Sequence, residues 1–140
     1  MIDLPLGTQL GPYLVTRALG LGGMGAVYAA HTAEGQQVAI KLLDLAVADE
    51  EAFLRFQREA EAHARVDAHP NVARVHGAGR IGFQPYLVLD LLSGGDLDER
   101  LKRGPLSPEA TRELGLALAA GLAHVHAKGV LHRDIKPANV

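Results

Sequence analysis

The sequence predicts an α+β fold in which a five-stranded antiparallel sheet with one helix precedes a mainly helical segment. Short apolar runs separated by turn signals, with one amphipathic helix among them, occupy much of the chain up to residue 92. A Ser93-Gly94-Gly95 joint ends that pattern, and helical signals follow it. We therefore expect an N-terminal extension (1–12), a first lobe with its connecting hinge (13–92) and the start of a second lobe (93–140).

Five segments read as strands because each is a short apolar or alternating run bounded by a turn signal. The first two are joined by a glycine-rich turn, Gly20 to Gly25, and so predict a hairpin. The third is apolar except for Lys41 near its end. The five predicted strands are residues 13–19, 26–31, 38–43, 72–76 and 86–89.

The helix of the first lobe is predicted from Asp49 to about Val66. Asp49 is a suitable N-cap, and Glu50 and Glu51 place negative charge at the positive end of the helix dipole. Phenylalanine and alanine recur at helical spacing along one face, so this face is expected to pack on the sheet. His69-Pro70-Asn71 then breaks the helix.

Two helices are predicted beyond the joint, a short one from about Asp96 to Lys102 and a long one that Ser107-Pro108-Glu109 opens. Ser107 is a good N-cap and proline suits the first helical position. Leucine, valine, alanine and glycine then cover nearly every face of the long helix, and such a helix needs protein on all sides. We therefore expect residues 1–140 to lack partner layers of their own core.

Composition limits the classes of function. The 140 residues carry a net charge of −2, so no basic surface for nucleic acid or an anionic membrane is expected. There is no cysteine, which excludes disulfides and cysteine-based zinc sites. The N-terminus has no signal-peptide pattern, and the longest uncharged run, Leu114 to Ala127, is shorter than the roughly 20 residues of a membrane span. A cytoplasmic location is expected.

Gly20-Leu21-Gly22-Gly23-Met24-Gly25 is a G-x-G-x-x-G turn, whose backbone N–H groups can approach phosphate oxygens because no Cβ obstructs them. By itself the turn equally suggests a dinucleotide-binding site. That site requires a helix after the turn, whereas Ala26 to Ala30 reads as a strand, and Ile40 and Lys41 stand where a ribose-binding acid is expected. The hairpin interpretation is favoured, with a glycine hairpin that binds nothing as the plainer alternative.

Two further motifs contain charged residues: the apolar run that ends at Lys41, and the last nine residues of the chain. Lys41 ends the run Val38-Ala39-Ile40-Lys41, and an ammonium in an apolar strand is costly unless an anion meets it. The plainer alternative is a lysine that reaches water from the end of the strand. The last nine residues read His132-Arg133-Asp134-Ile135-Lys136-Pro137-Ala138-Asn139-Val140, for which a solvated loop is the plainer alternative.

In this order the three motifs resemble those of the protein kinase family. The Gly-Gly-Met-Gly form followed by Val27-Tyr28 is most similar to bacterial serine/threonine kinases, and the resemblance runs from about Tyr13 to Val140. It implies a kinase fold and ATP-dependent phosphoryl transfer to serine or threonine hydroxyls of a protein substrate, with Mg2+. The family's Asp-Phe-Gly metal site, activation segment and later helices do not follow. We therefore expect a partial domain that is inactive alone. Bacterial kinases of this type often carry a membrane anchor downstream, so the resemblance is compatible with one in the full-length protein.

The resemblance assigns the nucleotide mainly to the first lobe. Lys41 would hold the α and β phosphates and pair with Glu59, for which Glu61 is the alternative. The backbone at Asp90 and Leu92 would bind adenine. The residues implied to bind the nucleotide are Leu19, Gly20, Leu21, Gly22, Gly23, Met24, Gly25, Ala26, Val27, Lys41, Asp90, Leu92 and Asp96, where Asp96 is a ribose-binding acid or a helix N-cap.

The resemblance also implies the roles of the last motif. Asp134 would accept the proton of the substrate hydroxyl, and Lys136 would neutralise the transferring phosphate, which favours serine and threonine substrates. Asn139 would ligate magnesium through its amide oxygen. His132 and Arg133 are expected to be scaffold residues.

Other functions stay open at this point. A zinc site among the seven histidines is disfavoured, since His124 and His126 point to different faces of a helix. A non-catalytic fragment that binds nucleotide, or a partner protein through the apolar helix 109–127, is the main alternative. A nicotinamide-cofactor protein is the third.

Overall fold

A computed structural model describes residues 3–22, 25–43, 50–131 and 135–140, with only the backbone at Leu21 and Gly22. Its contacts divide the chain into two compact units, Met1–Arg65 with Arg74–Leu91, and Val66–Ala73 with Leu92–Val140. In chain order the elements are β1 (Gln9–Leu10), β2 (Tyr13–Gly22), β3 (Gly25–His31), β4 (Gln37–Leu42), α1 (Glu50–Ala64), β5 (Val75–Ile81), β6 (Gln84–Asp90), α2 (Leu97–Leu101), α3 (Pro108–Ala127) and a 3-10 turn (Pro137–Asn139).

The first unit contains an antiparallel sheet in the order β1-β2-β3-β4-β6-β5. Among the described residues it has six strands rather than the predicted five. The additional strand forms because the chain reverses at Gly11, where φ is +55°, so that Gln9 pairs with Leu14 and Leu10 with Tyr13. A two-residue strand has no periodicity, and for this reason the sequence pattern did not reveal it.

One face of this sheet forms the core of the first unit. Along β4, Val38, Ile40 and Leu42 are fully buried and alternate with residues of the opposite face. The segment before the sheet also enters the core, because Leu4 is only 4% exposed. The cluster contains residues of the N-terminal segment and of five strands: Leu4, Leu10, Val15, Ala26, Tyr28, Ala30, Val38, Ile40, Leu42 and Val88.

The hydroxyl of Tyr28 ties the N-terminal segment to β3. It donates a hydrogen bond to Asp3 Oδ1 at 2.8 Å and accepts one from the Leu4 N–H at 3.1 Å. The Leu4 N–H lowers the pKa of Tyr28, but burial and the Asp3 carboxylate outweigh it and raise this pKa above 10.0. The hydroxyl therefore stays protonated and serves as a donor.

Helix α1 packs against β5, the edge strand of the sheet. Phe53 and Ala60 are its buried residues, as the predicted apolar face requires. Arg80 of β5 pairs with Glu50 at 2.7 Å, and its guanidinium lies 4.5 Å from the centroid of the Phe53 ring. The predicted cap Asp49 lies outside the described residues.

The strand predicted at 72–76 lies later in the chain, at Val75–Ile81. Val72 does not pair in the sheet; it packs on α3 beside Gly121, where an added Cβ would lie 3.3 Å from Val72 Cγ2. Val72 is apolar because it packs against a helix, and in the sequence this made it look like the first residue of a strand.

The second unit joins segment 66–73 to α3. The Asn71 side-chain amide donates to the Ala117 carbonyl at 3.1 Å, and Lys128 pairs with Asp67 at 2.8 Å. The ring of His124 lies 4.8 Å from that of His69, and its Nε2 lies 3.0 Å from the Asp67 carbonyl.

Both predicted caps of the second unit are confirmed. Asp96 Oδ1 accepts the Glu99 N–H at 2.8 Å at the start of α2, and Ser107 Oγ accepts the Ala110 N–H at 3.1 Å before Pro108. Along α3 only Gly121 is buried, and Leu116 is 57% exposed. The apolar character of this helix therefore exceeds what the described residues cover.

Candidate functional site

The described part of the glycine-rich segment lies where β2 ends and β3 begins. Gly20 pairs with Val27, Leu21 with Ala26 and Gly22 with Gly25, so strand pairing continues to the last described residues of β2 and the first of β3. Ala26 and Val27 lie in β3 rather than in a helix, which excludes the dinucleotide-binding turn. Gly23 and Met24 lie outside the described residues.

Two glycines of the hairpin contribute in different ways. Gly25 has φ +125°, a conformation that a side chain would strain. At Gly20 an added Cβ would meet no atom within 4 Å, so the backbone borders open space. Leu19, 39% exposed, lies at a register shift between Ala18 and Gly20. The hairpin therefore offers accessible backbone of the kind that phosphate binding requires.

Lys41 lies on the sheet face opposite the core. Its neighbours along β4, Ile40 and Leu42, are fully buried, so the alternation of the strand turns Lys41 to the other side. Lys41 is in register with Val27 of β3 and with Leu87 of β6. Residues directly opposite each other project from the same face. The ammonium-bearing side chain therefore shares a face with the glycine hairpin.

A cavity of about 110 Å³ lies between α1 and the edge of the sheet in the first unit. Leu87, the register partner of Lys41, contributes to its wall, and so does Glu59 of α1. Glu61, the alternative partner, does not line it, although it too is a described residue. The lining residues are Phe56, Glu59, Ala60, His63, Val75 and Leu87. Leu87 is thus in register with Lys41 and lines the same cavity as Glu59.

Asp90, the last residue of β6, is held firmly to β5 and the residue before it. Its N–H donates to the Arg74 carbonyl at 3.0 Å, and its carboxylate accepts the Arg74 N–H at 2.9 Å and lies 2.8 Å from His76 Nε2. Sequence reasoning missed His76. The only signal was the following Gly77, because a glycine within a strand often marks a bulge.

The second unit carries the remaining predicted residues. The Leu97 N–H donates to the Val140 carbonyl at 2.8 Å, which brings the start of α2, capped by Asp96, next to the end of the last motif. Leu92 is 69% exposed.

The described part of the last motif is compact. The Asn139 N–H donates to the Lys136 carbonyl at 2.9 Å within the 3-10 turn, and both residues are half-buried. Asp134, with His132 and Arg133, lies outside the described residues.

The two histidines of α3 have different surroundings. His124 contacts His69 and Asp67, as described above, and His126 is exposed. Within residues 3–22, 25–43, 50–131 and 135–140, no three His, Cys, Asp or Glu side chains gather as a metal site would need. In the same residues no helix is both long enough and apolar enough to span a bilayer.

Comparison with known proteins identifies the family. The sequence model of the protein kinase domain matches residues 13–140. The chain belongs to the protein kinase family. This kinase chain is 40% identical over 141 residues to the serine/threonine-protein kinase PknH of Mycobacterium bovis, and 39% identical over 138 residues to PknD of Mycobacterium tuberculosis.

The kinase fold is confirmed by solved structures. The PknI kinase domain of Mycobacterium tuberculosis superposes with a TM-score of 0.86 at 34% identity, over 98% of this chain and 57% of that one. The alignments with PknH and PknD cover 99% and 96% of this chain but only 24% and 21% of those relatives. The kinase chain thus spans about a quarter or less of their length.

Proposed function

We propose that the protein carrying this chain is a serine/threonine protein kinase that transfers the γ-phosphoryl group of ATP to protein hydroxyls. The observation that supports this most is the strand register of Lys41 with Val27, since it sets a lysine on the same sheet face as a glycine hairpin. A phosphate-binding turn and a cation on one face are suited to a polyphosphate.

For the nucleotide, we assign Lys41 to the α and β phosphates and Glu59 to its partner. The cavity wall supports Glu59 over Glu61, because Glu59 lines the same cavity as Leu87, the residue in register with Lys41, and Glu61 does not. The ion pair would hold the ammonium in place and orient α1. The hairpin Gly20–Gly25 would cover the phosphates, Leu19 and Val27 would cover the base, and the backbone at Asp90 and Leu92 would bind adenine.

For catalysis, we assign Asp134 as the acceptor of the substrate hydroxyl proton and Lys136 as the cation beside the transferring phosphate. Asn139 would bind Mg2+, and its amide oxygen is of the hard donor class that this ion prefers. When bound, the ion would neutralise charge on the phosphate oxygens. The hydrogen bond from Leu97 to Val140 supports this assignment, because it holds the end of the Asn139 turn against the start of α2.

A second candidate is a protein-interaction function of α3. Its support is the exposure of an apolar helix: only Gly121 is buried, and Leu116 is 57% exposed. If the protein is a kinase, ATP should raise its melting temperature in a magnesium-dependent way. A protein complex that forms through α3 should not respond to ATP. Melting curves with ATP, with ATP and magnesium, and with NAD separate these functions and the nicotinamide alternative.

The test is phosphate transfer by the full-length protein to a generic serine- and threonine-containing substrate. Lys41→Met and Asp134→Asn should each lower kcat by about 100-fold or more, because each removes a charge that acts at the phosphates or the hydroxyl. Lys102→Met is the matched control, since the Lys102 side chain is 71% exposed and forms a surface ion pair with Asp98. Transfer that survives both Lys41→Met and Asp134→Asn would refute the proposed function.

A further inference from the structure

A β-bulge interrupts the pairing of β5 with β6. Val75 pairs with Leu89 and Gly77 with Val88, so β5 advances two residues where β6 advances one. His76 is the additional residue. A bulge removes one residue from the regular ladder and redirects its side chain, often beside a functional site.

The redirected imidazole of His76 meets the end of β6. Its Nε2 lies 2.8 Å from Asp90 Oδ1, and the His76 side chain is 16% exposed against 39% for Asp90. A carboxylate can only accept, so Nε2 must carry a proton and donate it to this bond. Hydrogen bonds with an ionised partner are shorter and stronger than neutral ones.

Three atoms of Asp90 take part in hydrogen bonds. Besides the bond from His76, its Oδ2 accepts the Arg74 N–H at 2.9 Å and its own N–H donates to the Arg74 carbonyl at 3.0 Å. The backbone nitrogen and both carboxylate oxygens therefore have fixed partners on residues 74–76. Of these three contacts, only the one from His76 is made by a side chain of β5.

We propose that His76 is a positioning residue for recognition of the adenine base: it holds the Asp90 carboxylate and so fixes the backbone of the residue that receives the base. This inference rests on the proposed function, which assigns adenine to the backbone at Asp90 and Leu92. His76 touches no substrate atom in this scheme and acts through Asp90 alone.

The scheme predicts a specific kinetic signature. Misplacement of the base-binding backbone weakens ATP binding and leaves the chemical step intact, so the KM for ATP should rise while kcat changes little. A purely structural histidine would lower the melting temperature without moving this KM.

The experiment uses the full-length protein and three substitutions. His76→Phe keeps an aromatic ring at this position but loses the donor, and His76→Gln offers an amide donor near the position of Nε2. His126→Phe is the matched control, because His126 is exposed on α3. We would measure the KM for ATP, kcat, the Kd of a fluorescent ATP analogue and the melting temperature.

His76→Phe should raise the KM and the Kd by about three- to tenfold, a change of the size of the typical net contribution of one hydrogen bond. His76→Gln should restore both to within about twofold of the wild type. If His76→Phe is poorly folded, Asp90→Asn provides the second test, since it weakens the same bond from the other side and should raise the KM in the same direction.

Two results would overturn the inference, and they are distinguishable. If the wild type binds the analogue and His76→Phe binds it equally well, His76 has no positioning role and the proposed function stands. If the wild type itself binds no ATP analogue, the proposed function fails and the inference fails with it.

Discussion

The ionisation state of the Asp90 carboxyl group is set by burial and by hydrogen bonding, which act in opposite directions. Burial disfavours its charged form, but the Arg74 N–H and the His76 side chain favour it more, and the pKa of Asp90 falls below its ordinary value of 3.8. The carboxylate is therefore charged at neutral pH and able to accept both hydrogen bonds. In the sequence, nothing distinguishes this aspartate from any other at the end of a strand.

The lowered pKa predicts how stability depends on acid. A carboxyl group with a lower pKa in the folded state contributes stability above its unfolded value, and this contribution is lost as the pH falls from about 3.8 through the folded pKa. Asp90→Asn should therefore make the decline of the unfolding free energy below about pH 4 less steep than in the wild type. Urea unfolding at a series of pH values measures this slope, and equal slopes for both proteins would contradict the prediction.

Two glycines within α3 show that the same residue type can have opposite roles in one element. At Gly121 an added Cβ would lie 2.9 Å from the Asn71 carbonyl oxygen and 3.3 Å from Val72 Cγ2. At Gly115 it would meet no atom within 4 Å. Gly121 permits close contact with the 66–73 segment, whereas Gly115 only weakens the helix.

Alanine substitutions should separate these roles. Gly115→Ala should stabilise the protein by up to about 1 kcal/mol, because alanine is the better helix former and the position is open. Gly121→Ala should destabilise it, because the new methyl group must push back a backbone carbonyl. Thermal unfolding of the two variants provides the comparison, and two shifts of the same sign would disprove the assigned contact.

The elements that could be predicted are those whose signals are local. Ser107 and Asp96 marked the starts of α3 and α2 because a cap and its helix are adjacent in sequence. The strand predicted at 72–76 was misplaced because the partner of Val72, Gly121, is distant in sequence. The bond of His76 with Asp90 is hidden in the same way, since each residue alone has an ordinary sequence context.

At the scale of the whole chain, the N-terminal segment is part of the first unit's core. Leu4 is 4% exposed and Leu6, two residues on, is 64% exposed. Leu4→Ala should therefore lower the unfolding free energy by about 2–4 kcal/mol, since it leaves a cavity in the core. Leu6→Ala is the matched control and should change it by no more than about 0.5 kcal/mol. Chemical denaturation measures both, and similar effects would show that the segment is not part of the core.

The candidate site could be predicted as a set of motifs but not as an arrangement. The glycine turn and Lys41 are recognisable separately, whereas the register of Lys41 with Val27 and Leu87 is a property of the folded sheet. The choice of Glu59 over Glu61 depends on which side of α1 faces Leu87. Residues two apart on a helix point in directions that differ by about 200°. The position of the helix break at His69-Pro70-Asn71 does not determine which of the two glutamates faces the sheet.

The anchoring of segment 66–73 on α3 has a consequence for the timing of synthesis. Asn71 and Ala117, which share a hydrogen bond, are 46 residues apart. At about 5–20 residues per second, the ribosome completes Asn71 roughly 2–9 seconds before Ala117. Strands β5 and β6, joined by a tight hairpin, are made within that interval. The C-terminal end of segment 66–73 can therefore be held by the β5–β6 hairpin before α3, which anchors the middle of the segment, has been synthesised.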